Sequence, residues 1–140
     1  MTRVSAAVRA FNGDAELGSV ADMDNYYGHL EHADLPRDCA LVELDGTVVA
    51  YGRTSWEEMA NGERRIDCIV NIEPDHRGCG IEALLLGHAL GRAADHVAAV
   101  GADRTTRVIL YATGRDEALR SILDGRGLPV VRRHAQLVRP

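Results

Sequence analysis

The chain of 140 residues is 46% hydrophobic and 26% charged, which is typical of one globular domain with its own apolar core. Its net charge of −5 argues against nonspecific nucleic-acid binding, and all 16 basic residues are arginines, which excludes lysine chemistry. The cysteines Cys39, Cys68 and Cys79 form no CxxC pair, and no apolar run approaches the ~20 residues that span a bilayer. We therefore expect a single cytoplasmic domain over residues 1–140, without a metal and without membrane or nucleic-acid partners.

The first 38 residues carry mixed signals. Residues 4–11 alternate as a strand does, yet their alanine content suits a helix equally. Asp14 is a suitable N-cap for a helix over residues 14–32, in which apolar side chains recur at helical spacing. Residues 35–38 are expected to be a connection.

Three strands follow as an antiparallel meander. Residues 40–44 and 48–52 are separated by Asp45-Gly46, a dipeptide that supplies the positive φ angles of a tight hairpin turn. Residues 53–59 extend the second strand, and Asn61-Gly62 forms the next turn. The third strand is predicted over residues 65–72.

The second half alternates helices and strands. An apolar stripe of period 3.6 predicts a helix over residues 80–97, and the run 107–112 predicts a central strand. A helix over residues 116–124 and a last strand over 130–138 complete the order. The fold class is therefore α/β with a mixed (α+β) sheet: an antiparallel meander followed by strand-helix-strand-helix-strand.

A glycine-rich turn between the third strand and the long helix is the strongest functional signal. The stretch 66–90, IDCIVNIEPDHRGCGIEALLLGHAL, runs from a strand through Pro74 and two glycines directly into the helix. Free backbone N–H groups and the positive end of a helix make such a turn an anion site. A tight strand-to-helix turn explains the two glycines equally well when they are considered alone.

The residues around this turn resemble the acyl-CoA pyrophosphate loop of the GCN5-related N-acetyltransferase superfamily, V-x-P-x-x-R-G-x-G-[IVL]-[GA]-x-x-L-L. The matching residues are Ile72, Pro74, Arg77, Gly78, Gly80, Ile81, Leu85 and Leu86. The resemblance covers roughly residues 35–140, whereas residues 1–34 match weakly and are shortened. The ending QLVRP is similar to the junction after the N-terminal half of tandem members of the superfamily.

The resemblance implies a fold, a co-substrate and a binding site. Backbone groups from Val70 to Ile72 would pair with the pantetheine arm of acetyl-CoA, and strand 107–112 would separate from its neighbour to leave a cleft. Amide groups of the loop would cradle the pyrophosphate, with an added charge contact from Arg77. These loop residues are Arg77, Gly78, Cys79, Gly80, Ile81 and Glu82. The implied activity is transfer of an acetyl group to a small-molecule or peptide amine, in a protein that self-associates as a homodimer.

Two residues depart from the superfamily pattern. Glu82 stands where glycine or alanine is preferred, so its carboxylate either points away or interferes with the cofactor. Leu123 stands where many members place the tyrosine that protonates the departing thiolate, and Tyr111 is the nearest substitute unless it only packs in the sheet. These departures support an alternative function, a degenerate domain that binds acyl-CoA or a partner chain without turnover.

The general base is open, and no catalytic residue is assigned. Asp67 is the most plausible candidate because a carboxylate within an apolar strand is costly unless it is paired or functional. Glu57 and Glu58 are further candidates, and a salt bridge from Asp67 to Arg65 or Arg53 is the alternative explanation. A different nucleotide binder is disfavoured, since the loop lacks the Lys-Ser/Thr of a P-loop and the third glycine of a dinucleotide fingerprint.

Overall fold

A four-stranded sheet in the order β1-β2-β3-β4 organises the chain. The computed structural model describes residues 1–13, 19–30, 32–100 and 105–134. The strands are β1 (Cys39–Leu44), β2 (Thr47–Glu58), β3 (Arg64–Ile72) and β4 (Thr106–Leu110). The helices are α1 (Thr2–Asn12), α2 (Val20–Gly28), α3 (Leu35–Asp38), α4 (Ile81–Val100) and α5 (Glu117–Gly125), and a 3₁₀ turn spans Pro74–His76.

The sheet is mixed, as predicted. Strands β1, β2 and β3 pair antiparallel in succession, and β4 pairs parallel with β3. Asp45 (φ 48°) and Gly46 (φ 74°) both have positive φ, which matches the twist of the flanking strands in a two-residue hairpin. The predicted fold class, a meander followed by alternating helices and strands, is confirmed as far as β4 and α5.

Helix α4 covers one face of the sheet. Ile66, Cys68 and Ile72, at alternating positions of β3, are buried beneath Leu85 and Ala89 of the helix. Each large apolar side chain buried in this way stabilises the fold by roughly 1.5–3 kcal/mol. No helix within the described ranges is long and apolar enough to cross a membrane.

Helix α1 covers part of the opposite face. Val4 and Val8, one helical turn apart, are buried against Tyr51 of β2. The ambiguous segment 4–11 is therefore helical, because a helix places both valines on the sheet. Gly13 (φ 83°) ends the helix in the left-handed conformation.

Helix α2 is shorter than the predicted helix over residues 14–32. It is capped by Ser19, whose side chain accepts from the Asp22 amide while the Asp22 carboxylate bonds back to Ser19. The proposed cap Asp14 lies outside the described residues. Residues 35–38, expected to be a connection, form helix α3.

The prediction of a last strand over residues 130–138 is wrong for residues 130–134, which are neither strand nor helix. Val130 and Val131 are 64% and 75% exposed and pair with no strand in the described part of the chain. Strand propensity depends on packing against neighbouring strands, so valines alone do not produce a strand. Residues 135–138 lie outside the described residues.

The Asp38 side chain links helix α3 to helix α4 through hydrogen bonds. Its fully buried carboxylate accepts from Asp34 N–H at 2.8 Å and from Arg92 Nε at 2.8 Å, and His96 Nε2 lies 3.1 Å away. Burial opposes ionisation, but the hydrogen bonds from Asp34 and Arg92 and the charge of His96 hold the pKa of Asp38 below its usual value.

Candidate functional site

Strands β3 and β4 separate before β3 ends. Their last paired residues are Cys68 and Leu110, whereas β3 continues to Ile72. Residues 69–72 of β3 therefore have no strand partner on this side within the described part of the chain. The predicted strand 107–112 ends at Leu110, and the chain leaves the sheet there.

Backbone groups of Val70 and Ile72 face this gap. Arg64 N–H donates at 3.0 Å to the carbonyl of Thr105, just before β4. Glu73 N–H instead donates at 3.0 Å to the carbonyl of Val49 in β2. Backbone groups alternate in direction along a strand, so even-numbered residues of β3 present N–H and C=O groups toward β4. At Val70 and Ile72 that direction leads into the gap, where an extended amide-containing chain could pair.

The glycine loop, residues 77–80, joins the gap to the N-terminus of α4. Gly78 (φ 74°) and Gly80 (φ 89°) adopt left-handed conformations that other residues rarely take. No atom lies within 4 Å of the Cβ position of either glycine, so backbone conformation rather than crowding requires glycine here. Gly80 O accepts the first helical bond from Leu84 N at 3.2 Å, and the amides of Ile81 and Glu82 therefore have no partner within the helix.

The Glu82 side chain turns back onto this loop. It is only 1% exposed, and its Oε1 accepts a hydrogen bond from Gly78 N–H at 2.7 Å. Of the two alternatives for Glu82, a carboxylate that points away from the loop does not describe it, and interference with the cofactor stays a prediction. The carboxylate occupies one of the donors expected to bind pyrophosphate.

Arg77 ties the loop to three other elements. Its Nε lies 3.3 Å from Ile72 O and 3.6 Å from an Asp116 carboxylate oxygen, and its guanidinium lies 4.8 Å from the centre of the Phe11 ring. These contacts involve β3, the N-cap of α5, and α1. They make Arg77 a positioning residue for the loop, and its predicted charge contact with a pyrophosphate stays a prediction.

An open cleft of about 720 Å³ lies between α2 and the face of β2 and β3 opposite α4. It combines carboxylates, two arginines and aromatic rings. The lining residues are Asn25, Tyr26, His29, Leu30, His32, Arg53, Ser55, Trp56, Glu57, Glu58, Arg65, Asp67, Ile69 and Tyr111.

Asp67 is held on both oxygens at the edge of this cleft. Arg65 Nε donates to Oδ2 at 3.0 Å, and the Tyr111 hydroxyl donates to Oδ1 at 2.7 Å. Arg65 also pairs with Glu57 at 2.5 Å. Burial, together with the hydrogen bond to Asp67, raises the pKa of Tyr111 to about 12. The predicted ion pair with Arg65 is present, and it leaves the carboxylate within the cleft, one residue before the point where β3 and β4 part.

The other residues considered as general base, general acid or nucleophile occupy different positions. Glu57 and Glu58 line the cleft, whereas Leu123 of α5 does not. Cys68 faces α4, and burial raises the pKa of its thiol to about 11, which makes it a poor nucleophile. Sequence reasoning missed Arg53 as a cleft residue. The only signal was weak: Arg53, Ser55 and Glu57 alternate along β2, but Thr54 and Glu58 between and after them are polar too.

Comparisons with known proteins agree on the fold. No family model and no curated protein sequence matches the chain. A GCN5-related N-acetyltransferase from Sphaerobacter thermophilus superposes with a TM-score of 0.68 and 20% identity over 89% of this chain and 38% of that one. This chain thus spans well under half the length of that protein.

Two further solved structures show the same similarity. A ribosomal-protein-alanine N-acetyltransferase from Brucella melitensis gives a TM-score of 0.61 and 15% identity over 89% of this chain and 75% of its own. Arabidopsis thaliana Naa50, in complex with the bisubstrate analogue CoA-Ac-MVNAL, gives 0.50 and 19% over 74% of this chain and 64% of its own. The chain has the GCN5-related N-acetyltransferase fold.

Proposed function

We propose that the chain is an acyl-CoA-dependent N-acyltransferase that transfers an acyl group, most simply acetyl, to an amine. The observation that carries the proposal is the parting of β3 and β4 after Cys68 and Leu110, directly beside the Asp67 carboxylate. The unpaired edge of β3 would bind the co-substrate, and the Asp67 carboxylate beside it would accept a proton, so the two features together support the proposal. The fold similarity to N-acetyltransferases supports the same class of reaction.

The residues present largely fit an acyl-CoA. The outward backbone groups of Val70 and Ile72 would pair with the amides of the pantetheine arm. The amides from Arg77 to Glu82, beside the positive end of α4, would hold the pyrophosphate. Two features oppose this fit: Arg77 Nε already donates to Ile72 O at 3.3 Å, and Glu82 occupies the Gly78 amide and adds a negative charge. Rotation of one side chain would clear that donor.

The reaction requires a proton acceptor near the amine. When bound, acyl-CoA supplies a thioester carbonyl carbon, to which the amine forms a C–N bond as the C–S bond breaks. The Asp67 carboxylate accepts the proton that the amine loses, and Arg65 and Tyr111 fix its orientation. With a pKa of about 12 the Tyr111 phenol stays protonated near neutral pH, so it can supply the proton that the thiolate needs.

Isothermal titration of the protein with acetyl-CoA and with CoA tests the cofactor assignment. Binding of both with one site per chain is expected. The absence of binding up to about 1 mM would contradict the proposal, because the fold then lacks its co-substrate. A thiol-release assay with a panel of amines tests turnover separately.

A second candidate function is favoured by Glu82. In this alternative the domain binds acyl-CoA weakly, or binds a partner chain, without turnover. The buried carboxylate on the Gly78 amide supports it, since a like charge beside a pyrophosphate weakens binding. Replacement of Glu82 discriminates between the two candidates.

A further inference from the structure

Arg53 is a buried cation with unused hydrogen-bond donors. It lies in the middle of β2 and is 3% exposed, and its Nε and Nη1 atoms have no hydrogen-bond partner in the described part of the chain. The other arginine of the cleft, Arg65, is paired with both Glu57 and Asp67. A buried guanidinium without a carboxylate partner is costly, so its retention calls for an explanation.

Stacking on aromatic rings does not use these donors. The Arg53 guanidinium lies 5.0 Å from the centre of the Tyr26 ring and 5.4 Å from that of Tyr27. Cation–π contacts involve the faces of the rings, whereas the N–H groups of a guanidinium lie in its own plane. The two tyrosines therefore hold Arg53 in place and leave hydrogen-bonding capacity for an anion.

The position of Arg53 relative to Asp67 suggests what that anion is. Arg53 and Asp67 both line the cleft, and Ser55 rather than Arg53 is the direct cross-strand partner of Asp67. They are thus diagonal neighbours on one face, roughly 7–8 Å apart in backbone position. One small molecule in the cleft can therefore lie between the Arg53 guanidinium at one end and the Asp67 carboxylate at the other.

We propose that Arg53 binds the carboxylate of the acyl acceptor, and that the acceptor is a small zwitterion of the amino-acid type. Its amine would lie toward Asp67 and its carboxylate toward Arg53. This inference rests on the proposed function for the identity of the reaction, but the binding itself requires no CoA. Arg53 acts here as a specificity-determining residue.

Binding can be measured by isothermal titration calorimetry. The single tryptophan, Trp56, packs against the cluster beneath α4, on the other face of the sheet, so its fluorescence is not used as the signal. The common non-aromatic L-amino acids and their carboxamides are titrated into CoA-free protein near neutral pH. The carboxamide keeps the amine and loses the carboxylate. We expect at least one amino acid to bind about tenfold or more tightly than its carboxamide, since a charge-assisted hydrogen bond is lost.

Two matched variants complete the test. Arg53→Gln should abolish the preference for the acid and leave the affinity for the carboxamide unchanged. Arg107→Gln removes the same charge from an exposed arginine paired with Glu63 outside the cleft, and it should keep the preference. If Arg53→Gln does not fold, Arg53→Lys serves instead, with the preference retained but reduced.

The inference is overturned if wild-type protein binds acid and carboxamide equally, if it binds neither, or if Arg53→Gln keeps the preference. Failure of acetyl-CoA to bind contradicts the proposed function alone, because the amino-acid titrations contain no CoA. The two ideas therefore fail separately.

Discussion

Glu82 of α4 accepts a hydrogen bond from the Gly78 amide at 2.7 Å, so a side chain of the helix occupies a donor of the loop that precedes it. The bond locally satisfies an amide in a turn that is otherwise exposed, and it places a carboxylate at the positive end of the helix. The same bond competes with any anion that the loop would bind. Stability and ligand affinity are therefore expected to change in opposite directions when Glu82 is replaced.

Glu82→Ala should raise the affinity for CoA about tenfold or more. The substitution frees the Gly78 amide and removes a negative charge from the pyrophosphate site, and a hydrogen bond to a charged group is worth roughly 1.5–3 kcal/mol. The free energy of unfolding should fall by about 1 kcal/mol, because the helix loses a favourable charge and the loop loses the hydrogen bond from the Gly78 amide. Calorimetric titration and urea denaturation measure the two effects.

Glu82→Gln is the matched control, because it keeps the side-chain size and removes the charge. Its CoA affinity should lie between those of the wild type and Glu82→Ala. Unchanged affinity in both variants would mean that Glu82 does not hinder binding, and the non-catalytic alternative would lose its main support.

Modification of Cys79 should be slowed by CoA. Cys79 is exposed within the glycine loop, whereas burial raises the pKa of both Cys39 and Cys68 and makes their thiols less reactive. Iodoacetamide should therefore label Cys79 first, as peptide mass spectrometry can verify. Saturating CoA should reduce the labelling rate of Cys79 several-fold. Equal rates with and without bound CoA would place the ligand elsewhere.

Asp67→Asn should lower kcat by about 10²–10⁴-fold if Asp67 is the general base. Asparagine keeps the shape and loses the proton acceptor, so the affinity for CoA should stay unchanged. Tyr111→Phe should have a smaller effect and leave the pH–rate profile unaltered between about pH 6 and pH 10, since the Tyr111 phenol, with a pKa near 12, does not titrate there. If Asp67→Asn keeps the wild-type kcat, another residue must act as the general base. Glu57 and Glu58 are then the next candidates to replace.

Asp38→Asn should destabilise the fold by about 3–5 kcal/mol, because it breaks a buried ion pair and leaves the Arg92 guanidinium without that carboxylate. The pKa of Asp38 is lower in the folded chain than in the unfolded chain, so the unfolded chain binds a proton more readily as the pH falls. Wild-type stability should therefore decline below about pH 4, and this component should be absent in the variant.

Asp95→Asn is the control for Asp38. Asp95 is also a partner of Arg92 but is largely exposed, so its loss should cost no more than about 1 kcal/mol. Equal effects of the two substitutions in urea denaturation would mean that burial does not strengthen the role of Asp38.

Much of the fold could be predicted from residues close together in the chain. The Asp45-Gly46 hairpin, the apolar stripe of α4 and the turn before it depend on local backbone preferences and on periodicity. The same reasoning left residues 4–11 undecided and was wrong about residues 130–134. In both cases the deciding factor was a packing or pairing partner distant in sequence. Val4 and Val8 pack against Tyr51 of β2, whereas Val130 pairs with none of the described strands.

At the glycine loop, residue order and tertiary structure determined different properties of the site. The sequence alone determined its position between β3 and α4 and identified Glu82 as the departure from the pattern, because both follow from residue order. Only the tertiary structure decided that the Glu82 carboxylate turns onto the Gly78 amide, and that Arg53, which has no carboxylate partner among the described residues, lies in the same cleft as Asp67. Side-chain direction and burial depend on neighbours from other elements, and no spacing along the chain specifies them.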